Sequence, residues 1–258
     1  MRTALKVVGL LLVVLVGVAG VQFARVRSQM PKTTGARIDV EPVATGVLAK
    51  FSYAWIVKTP HGAFLVDTGP DAKAEDLLSE LKLQGVAAEA VHTILLTHGH
   101  EDHFAAASAF PKAKVVVGPG DASLVREERH TQPGPILFLM HTFGEPAPPV
   151  PPLIEELKGD ATLDLDGVQV KAFSIPGHTK GSMAYLVGDV LFTGDSLMAR
   201  PDSSLDLGPR LFCEDAGQNL ASLARLRQIE FSRIADGHAG LTIDAKTRVE
   251  TFLSHPQG

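Results

Sequence analysis

Cysteine is almost missing from this sequence. Cys213 stands alone among 258 residues, which excludes an intramolecular disulfide and any zinc site built from thiolates. An excess of positive charge is missing too: 24 Lys and Arg face 29 Asp and Glu, for a formal net charge of −5. Without a basic field to neutralise phosphates, non-specific nucleic-acid binding has no electrostatic basis, and no nucleic-acid partner is expected. Long apolar runs are scarce as well. The main one, Val7–Val21, is broken by Gln22 and falls short of the about 20 residues that a full membrane span needs.

That run still sets the N-terminus apart. Arg2 and Lys6 precede it, Ala19 and Gly20 lie near its end, and no polar face exists along it. The pattern is that of a secretory signal or a short uncleaved anchor over residues 1–24. A tether over residues 25–40 follows, marked by Pro31, Thr33, Thr34 and Gly35. Arg25, Arg27 and Lys32 place positive charge on the far side too, so orientation is weakly specified. The expectation is an exported or membrane-anchored protein whose domain lies outside the cytoplasm, periplasmic in a bacterium, with any membrane contact made through this segment.

With 45% hydrophobic and 21% charged residues, the chain is globular in composition. Residues 41–258 read as one domain in which hairpins are followed by strand and helix alternation. FSYAWIVK and AFLVDTG flank a turn at Thr59–Gly62; ATLDL and VQVKAFSI flank Asp166-Gly167; MAYLV and VLFTG flank Gly188-Asp189. TILLT and KVVVG are short buried strands, and Leu77, Leu78 and Leu81 take helical spacing up to Gly85. DASLVREER opens with Asp121 as an expected N-cap. AGQNLASLARLRQI and a stretch near Lys246–Leu253 read as helices on either side of the strand FSRIAD. Two mixed sheets packed together with helices outside is the simplest assembly. Between His130 and Pro152 the regularity fails in a proline-rich loop holding Ile136–Met140 and Phe143, which could cap a site, touch a membrane or pack on the body.

What the chain has in abundance is histidine, and it is concentrated. LLTHGHEDHF places His98, His100, Asp102 and His103 directly after a buried strand. On a strand His103 would oppose the other three, and on a helix the four would fan around the axis. A loop can turn them to a common point, and Gly99 is expected to supply the backbone freedom. Packed together without a cation, these groups would be mutually repulsive and unsatisfied. One such loop cannot complete two metal shells, so further donors are expected at other strand ends. SIPGHTKGS offers His178, VLFTGDSL offers Asp195 and RIADGHAG offers His238, each after an apolar strand and a glycine. His61, His92, His130, His141 and His255 carry no such context and read as ordinary turn or surface residues.

Taken in order, LVDTG, THGHEDH, PGHTKGS, FTGDSL and DGHAG resemble the motif series of the metallo-β-lactamase-fold hydrolases, over roughly residues 50–240. The resemblance implies an α/β fold: an αββα four-layer sandwich of two mixed β-sheets flanked by helices, with the metals at one edge of the sheets. It implies that His98, His100 and His178 bind one metal, that Asp102, His103 and His238 bind a second, and that Asp195 bridges them. Asp102 and Asp195 would then also be the catalytic carboxylates. Asp67 would orient ligands from behind, while Thr179, Gly181 and Ser182 would shape the loop that carries His178.

The implied cofactor is a pair of divalent ions, Zn first, with Fe or Mn as alternatives. The implied activity is attack by a metal-bridging hydroxide on a small ester, lactone or related carbonyl substrate. Dedicated β-lactamases of this kind typically lack an aspartate at the position of Asp195. Glyoxalase II-like thioesterases keep it but carry a C-terminal helical region, whereas only residues 239–258 follow His238 here. Lactonases keep it and accept apolar tails. Phe104-Ala105-Ala106-Ala107 replaces the family's small glycine pair after the motif and could narrow the site. Two alternatives share the fold: a mononuclear iron persulfide dioxygenase-like oxidoreductase, and a phosphoester hydrolase served by Lys180, Arg200 and Arg210.

Overall fold

The structure, a computed structural model, describes residues 35–131 and 147–255. The expected signal or anchor over residues 1–24, and the apolar stretch from Ile136 to Phe143, lie outside the described residues. Among the described residues no helix is long and apolar enough to cross a membrane.

Seven strands form the first sheet in sequence order: β1 (Arg37–Val40), β2 (Ala44–Ala49), β3 (Ser52–Thr59), β4 (Gly62–Val66), β5 (Val91–Leu95), β6 (Lys114–Val117) and β7 (Ile154–Glu156). The first four pair antiparallel, and β4 to β7 run parallel. The chain then lays down β8 (Ala161–Leu165), β9 (Val168–Ser174), β10 (Met183–Val187), β11 (Val190–Gly194), a two-stranded ribbon of β12 (Met198–Ala199) and β13 (Leu205–Asp206), β14 (Arg233–Asp236) and β15 (Leu241–Thr242). The second sheet has the order β15-β14-β11-β10-β9-β8, with β11 and β14 parallel.

The turns follow their residues. Asp166 and Gly167 both take positive φ, as a two-residue hairpin of that composition requires, and at the next hairpin Gly188 does. Helices α1 (Glu75–Leu83), α2 (Glu101–Phe104) and α3 (Ala122–Val125) cover the outer face of the first sheet; α4 (Ala216–Leu223) and α5 (Ala245–Ser254) cover that of the second. Between the sheets, Tyr53, Trp55, Phe64 and Val66 pack against Met183, Tyr185, Val190 and Phe192. At about 1.5–3 kcal/mol for each large apolar side chain buried, this central layer alone outweighs any single polar contact in holding the sheets face to face. Tyr185 spends its hydroxyl on the Leu96 carbonyl at 2.9 Å, tying the second sheet to the chain just before His98.

One expected boundary moves. Arg37–Val40, placed in the tether by sequence, form edge strand β1, with Val40 buried. Arg37-Ile38-Asp39-Val40 alternates polar and apolar with the two-residue period of a half-buried strand, a signal masked by the nearby Gly35 and Pro42.

Candidate metal centre

Strand ends build the site. β5 leads into Thr97–His103, the β9–β10 connection carries His178, β11 ends beside Asp195, and β14 ends beside His238. Backbone bonds stitch these loops across the sandwich: Met183 N–H donates to Thr97 O at 2.8 Å, Tyr53 N–H to Gly237 O at 2.8 Å, and Thr68 N–H to His103 O at 2.7 Å. The result brings all seven candidate ligands together in three overlapping groups: His98, His100 and His178; His98, His103 and Asp195; and Asp102, His103 and His238. In each group one donor atom per residue lies within 4.8 Å of the others. Asp195 sits in the middle, 3.3 Å from His103 Nε2, 3.1 Å from His238 Nε2 and 3.9 Å from His178 Nε2. Asp102 lies 3.6 Å from His103 Nε2 and 3.5 Å from His238 Nε2, and its side chain retains 27% exposure where the others are buried.

The outward nitrogens of four imidazoles are committed to the protein. His103 Nδ1 donates to Asp67 at 2.9 Å and His238 Nδ1 to the Phe51 carbonyl at 2.8 Å. His100 Nε2 meets Thr131 Oγ1 at 2.8 Å. The Thr97 hydroxyl donates to Asp67 at 2.7 Å and so can accept from His98 Nδ1, 3.2 Å away. These bonds fix which nitrogen of each ring faces inward. Facing inward, His98 Nε2, His103 Nε2 and Asp195 Oδ1 are buried with no hydrogen-bond partner, while His178 turns its Nε2 toward His100 and Asp195. Buried donors and acceptors are rarely left alone in a native protein, so a cluster of such atoms converging on one point fits a bound cation. Nitrogen and carboxylate donors without sulfur suit Zn, Fe or Mn.

Electrostatics divide the cluster. Burial lowers His98 and His100 from the usual imidazole value and takes His178 down to about 3, with neighbouring imidazoles adding to the effect. Burial acts in the same direction on His103 and His238, but carboxylates override it. Asp102, Asp195 and Asp67 hold His103 well above its ordinary value, and Asp195 with Asp102 raises His238 to about 9. Asp195, which burial alone would raise, is held well below the carboxylate range by His238 and His103.

Two sequence expectations change. Asp121 precedes α3 but makes no side-chain cap; its buried carboxylate instead accepts from Gly99 N–H, the Thr179 hydroxyl and Gly181 N–H. Burial raises its pKa, against the pull of those three bonds and of Arg129. Gly99, expected to need unusual backbone angles, does not take positive φ; it is small because a Cβ there would lie 2.8 Å from Leu124 Cβ and 3.1 Å from the Asp121 carbonyl.

Other supporting residues were invisible in the sequence. Asp236 accepts from His238 N–H at 2.9 Å and Gly240 N–H at 3.2 Å through one oxygen, and from Ala199 N–H at 3.1 Å through the other. Its pKa is raised to about 6 by burial. Ser52 Oγ donates to the Asp102 carbonyl at 2.6 Å. Gly237 leaves room for the centre itself, since a Cβ would fall 2.4 Å from Asp195 Oδ1. Only the Asp immediately before Gly-His in RIADGHAG hinted at any of these. Among the remaining histidines, His61 pairs with Asp166 at 2.7 Å on an exposed turn, and His92 and His255 are exposed. Of the three cations considered for an anionic substrate, Lys180, Arg200 and Arg210 are all exposed, and Arg200 is engaged by Asp206.

The motif order, the sandwich and the clustered donors all agree with sequence comparison. Residues 48–238 match the model of the metallo-beta-lactamase superfamily. The chain belongs to this superfamily. Curated relatives in it include a hydroxyacylglutathione hydrolase from Nitrosomonas eutropha, 31% identical over 74% of this chain and 61% of that protein. A second, from Albidiferax ferrireducens, is 30% identical over 72% and 62%. The chain thus spans about three fifths of the length of these relatives. Among solved structures, a metallo-beta-lactamase family protein from Thermus thermophilus superposes with a TM-score of 0.62 at 23% identity, covering 86% of this chain and 78% of that one. An archaeal superfamily protein from Sulfolobus tokodaii gives 0.58 at 21%, covering 80% of each chain. These likenesses establish the superfamily sandwich fold.

Proposed function

We propose that this superfamily member is a dinuclear metal-dependent hydrolase of small acyl substrates: esters, lactones and, given relatives named hydroxyacylglutathione hydrolase, thioesters. The observation that carries the reading is the convergence of buried nitrogen and carboxylate atoms without hydrogen-bond partners in three groups that overlap at His98 and His103, with Asp195 in the middle group. His98, His100 and His178 would hold one ion, Asp102, His103 and His238 the other, with Asp195 between. Zinc suits these donors, with Fe or Mn as alternatives. When bound, a pair of divalent ions supplies polarisation of the scissile carbonyl and a water acidified to a pKa of about 7.

The chain's own residues do the rest. Asp67, Thr97, Thr131 and the Phe51 carbonyl orient the imidazoles, and burial of the cluster excludes bulk water from around them. Asp102, the partly exposed carboxylate of the cluster, would take a proton there and pass it to solvent. The thioester chemistry set aside on sequence grounds returns because relatives matched over 74% and 72% of this chain are named hydroxyacylglutathione hydrolase. Export or anchoring through residues 1–24 remains part of the proposal, supported by the Val7–Val21 run and checked by fractionating cells that express the full chain.

The test is metal analysis joined to a substrate panel. The full chain, loaded with zinc, should hold two equivalents and release protons from lactones, esters or thioesters, and a chelator should stop turnover. Silence across the panel with two equivalents bound, together with oxygen consumption on a persulfide by a one-iron form, would replace this reading with the oxidoreductase alternative.

A further inference from the structure

The trio His98, His100 and His178 comes from two loops far apart in the chain: His100 and His178 are 78 residues apart, yet their ring nitrogens lie 3.2 Å from each other. Something must hold those loops in register, because each is irregular backbone and an imidazole displaced by an ångström no longer shares a cation. Asp121 lies between them, fully buried, and belongs to neither loop. Its Oδ2 accepts from Gly99 N–H at 2.8 Å, on the loop of His98 and His100. The same oxygen accepts from Thr179 Oγ1 at 2.6 Å, and Oδ1 accepts from Gly181 N–H at 2.9 Å, both on the loop of His178. Every one of these partners is a donor, so the junction requires a group that only accepts, with two oxygens.

The surroundings are shaped to that carboxylate. A Cβ on Gly181 would lie 2.6 Å from Asp121 Cγ, and one on Gly118 would lie 2.0 Å from the Gly181 carbonyl. The Thr179 hydroxyl is aimed by Ser182, whose Oγ stands 2.8 Å from it and also accepts from Thr179 N–H. A second layer closes the outside: Arg129 lies 3.5 Å from Asp121 Oδ1, and donates to Glu214 at 2.8 Å, which also receives Lys180 N–H at 3.1 Å. The same loop runs on into Asp102 and His103, but these stand on helix α2 and are held separately. Ser52 Oγ donates to the Asp102 carbonyl at 2.6 Å, Thr68 N–H to the His103 carbonyl at 2.7 Å, and His103 Nδ1 to Asp67 at 2.9 Å. Among the described residues Asp121 itself bonds to no member of the Asp102–His103–His238 group. There, Asp236 binds its own loop within four residues, together with Ala199.

We infer that Asp121 is a positioning residue that assembles the all-imidazole half of the centre by clamping the His98–His100 loop to the His178 loop. The inference rests on the metal-binding reading of the site and adds a site-selective consequence to it. Removing the clamp leaves two N–H groups and a hydroxyl buried without an acceptor, and lets the two loops part. Loss of a residue that orients ligands from behind typically costs 10–100-fold in metal affinity, roughly, and here the loss falls on one half only.

The experiment titrates zinc into the metal-free full chain against a chromophoric chelator, with imidazole nitrogen-15 shifts reporting which histidines are occupied. Wild type, Asp121→Ala, Asp121→Asn and Thr179→Val are compared. Asp121→Asn keeps the volume but sets an NH2 against a donor, and Thr179→Val removes one of the three bonds, so these two keep the test alive where alanine fails to fold. Expected are weakening of about 10–100-fold at His98, His100 and His178 in Asp121→Asn, a smaller loss in Thr179→Val, and unchanged binding at His103 and His238. Affinities equal to wild type in Asp121→Asn, or equal weakening of both halves, would overturn the clamp. A wild type that binds zinc at neither half would instead remove the metal-centre reading beneath it.

Discussion

His178 and His238 are equally buried in one centre, yet one is driven down to about 3 and the other up to about 9. The difference lies in their company. His178 sits among other imidazoles and nearer to them than to Asp195, whereas His238 lies 3.1 Å from Asp195 and 3.5 Å from Asp102. Desolvation disfavours a charged ring in both places, and only a carboxylate within a few ångströms reverses it. One half therefore presents neutral nitrogens ready for a cation. The other, without metal, holds imidazolium and carboxylate in mutual compensation, and a cation must displace protons to enter.

The comparison should break most severely at Asp195, the carboxylate proposed to stand between the halves. Asp195→Ala should lower turnover by more than the roughly 100-fold that loss of a residue behind the ligands costs, and should reduce bound metal in parallel. An active variant with full metal content would show that Asp195 does not join the halves. Asp67 comes next. It accepts from His103 Nδ1 on one side and from Thr97, which touches His98, on the other. Asp67→Asn is thus expected to weaken zinc at both halves, by about 10–100-fold, in contrast to the one-sided effect of Asp121. Selective loss at one half, read by the same titration, would contradict that dual role.

The subtlest test concerns protons. His238, with a pKa near 9, and His103, held well above its ordinary value, are both charged at neutral pH in the metal-free protein, so binding there should release up to about two protons and tighten as pH rises toward 9. His178, near 3, is already neutral, and affinity at its half should stay flat through the same range. Calorimetric titration in buffers of different ionisation enthalpy measures this release, and equal release at both halves would refute the electrostatic division.

The candidate ligands were legible in the sequence because they sit in short, local signals: a dense cluster after an apolar strand for His98, His100, Asp102 and His103, and an apolar strand, a glycine and then a donor for His178, Asp195 and His238. The supporting atoms were not. Asp121 reads as a helix cap from its neighbours, and nothing local reveals that its partners lie 22, 58 and 60 positions away. The Phe51 carbonyl that orients His238 belongs to the backbone, which any residue would offer. Gly99 and Gly237 were visible as glycines, but the reason for them, a close approach by Leu124 in one case and by Asp195 in the other, exists only after folding. Arg37–Val40 carried the right alternation and was lost to the turn residues around it.

The sequence by itself determined most of the central strands and the longer helices, the hairpin turns and the kind of chemistry available, since periodicity, turn composition and donor type are local properties. The tertiary structure decided which nitrogen of each ring faces inward, which half of the centre is neutral and which carries protons, and which carboxylate ties the loops together. Those depend on distances of about 3 Å between residues remote in the chain, where desolvation and a single neighbouring charge set the sign of the outcome.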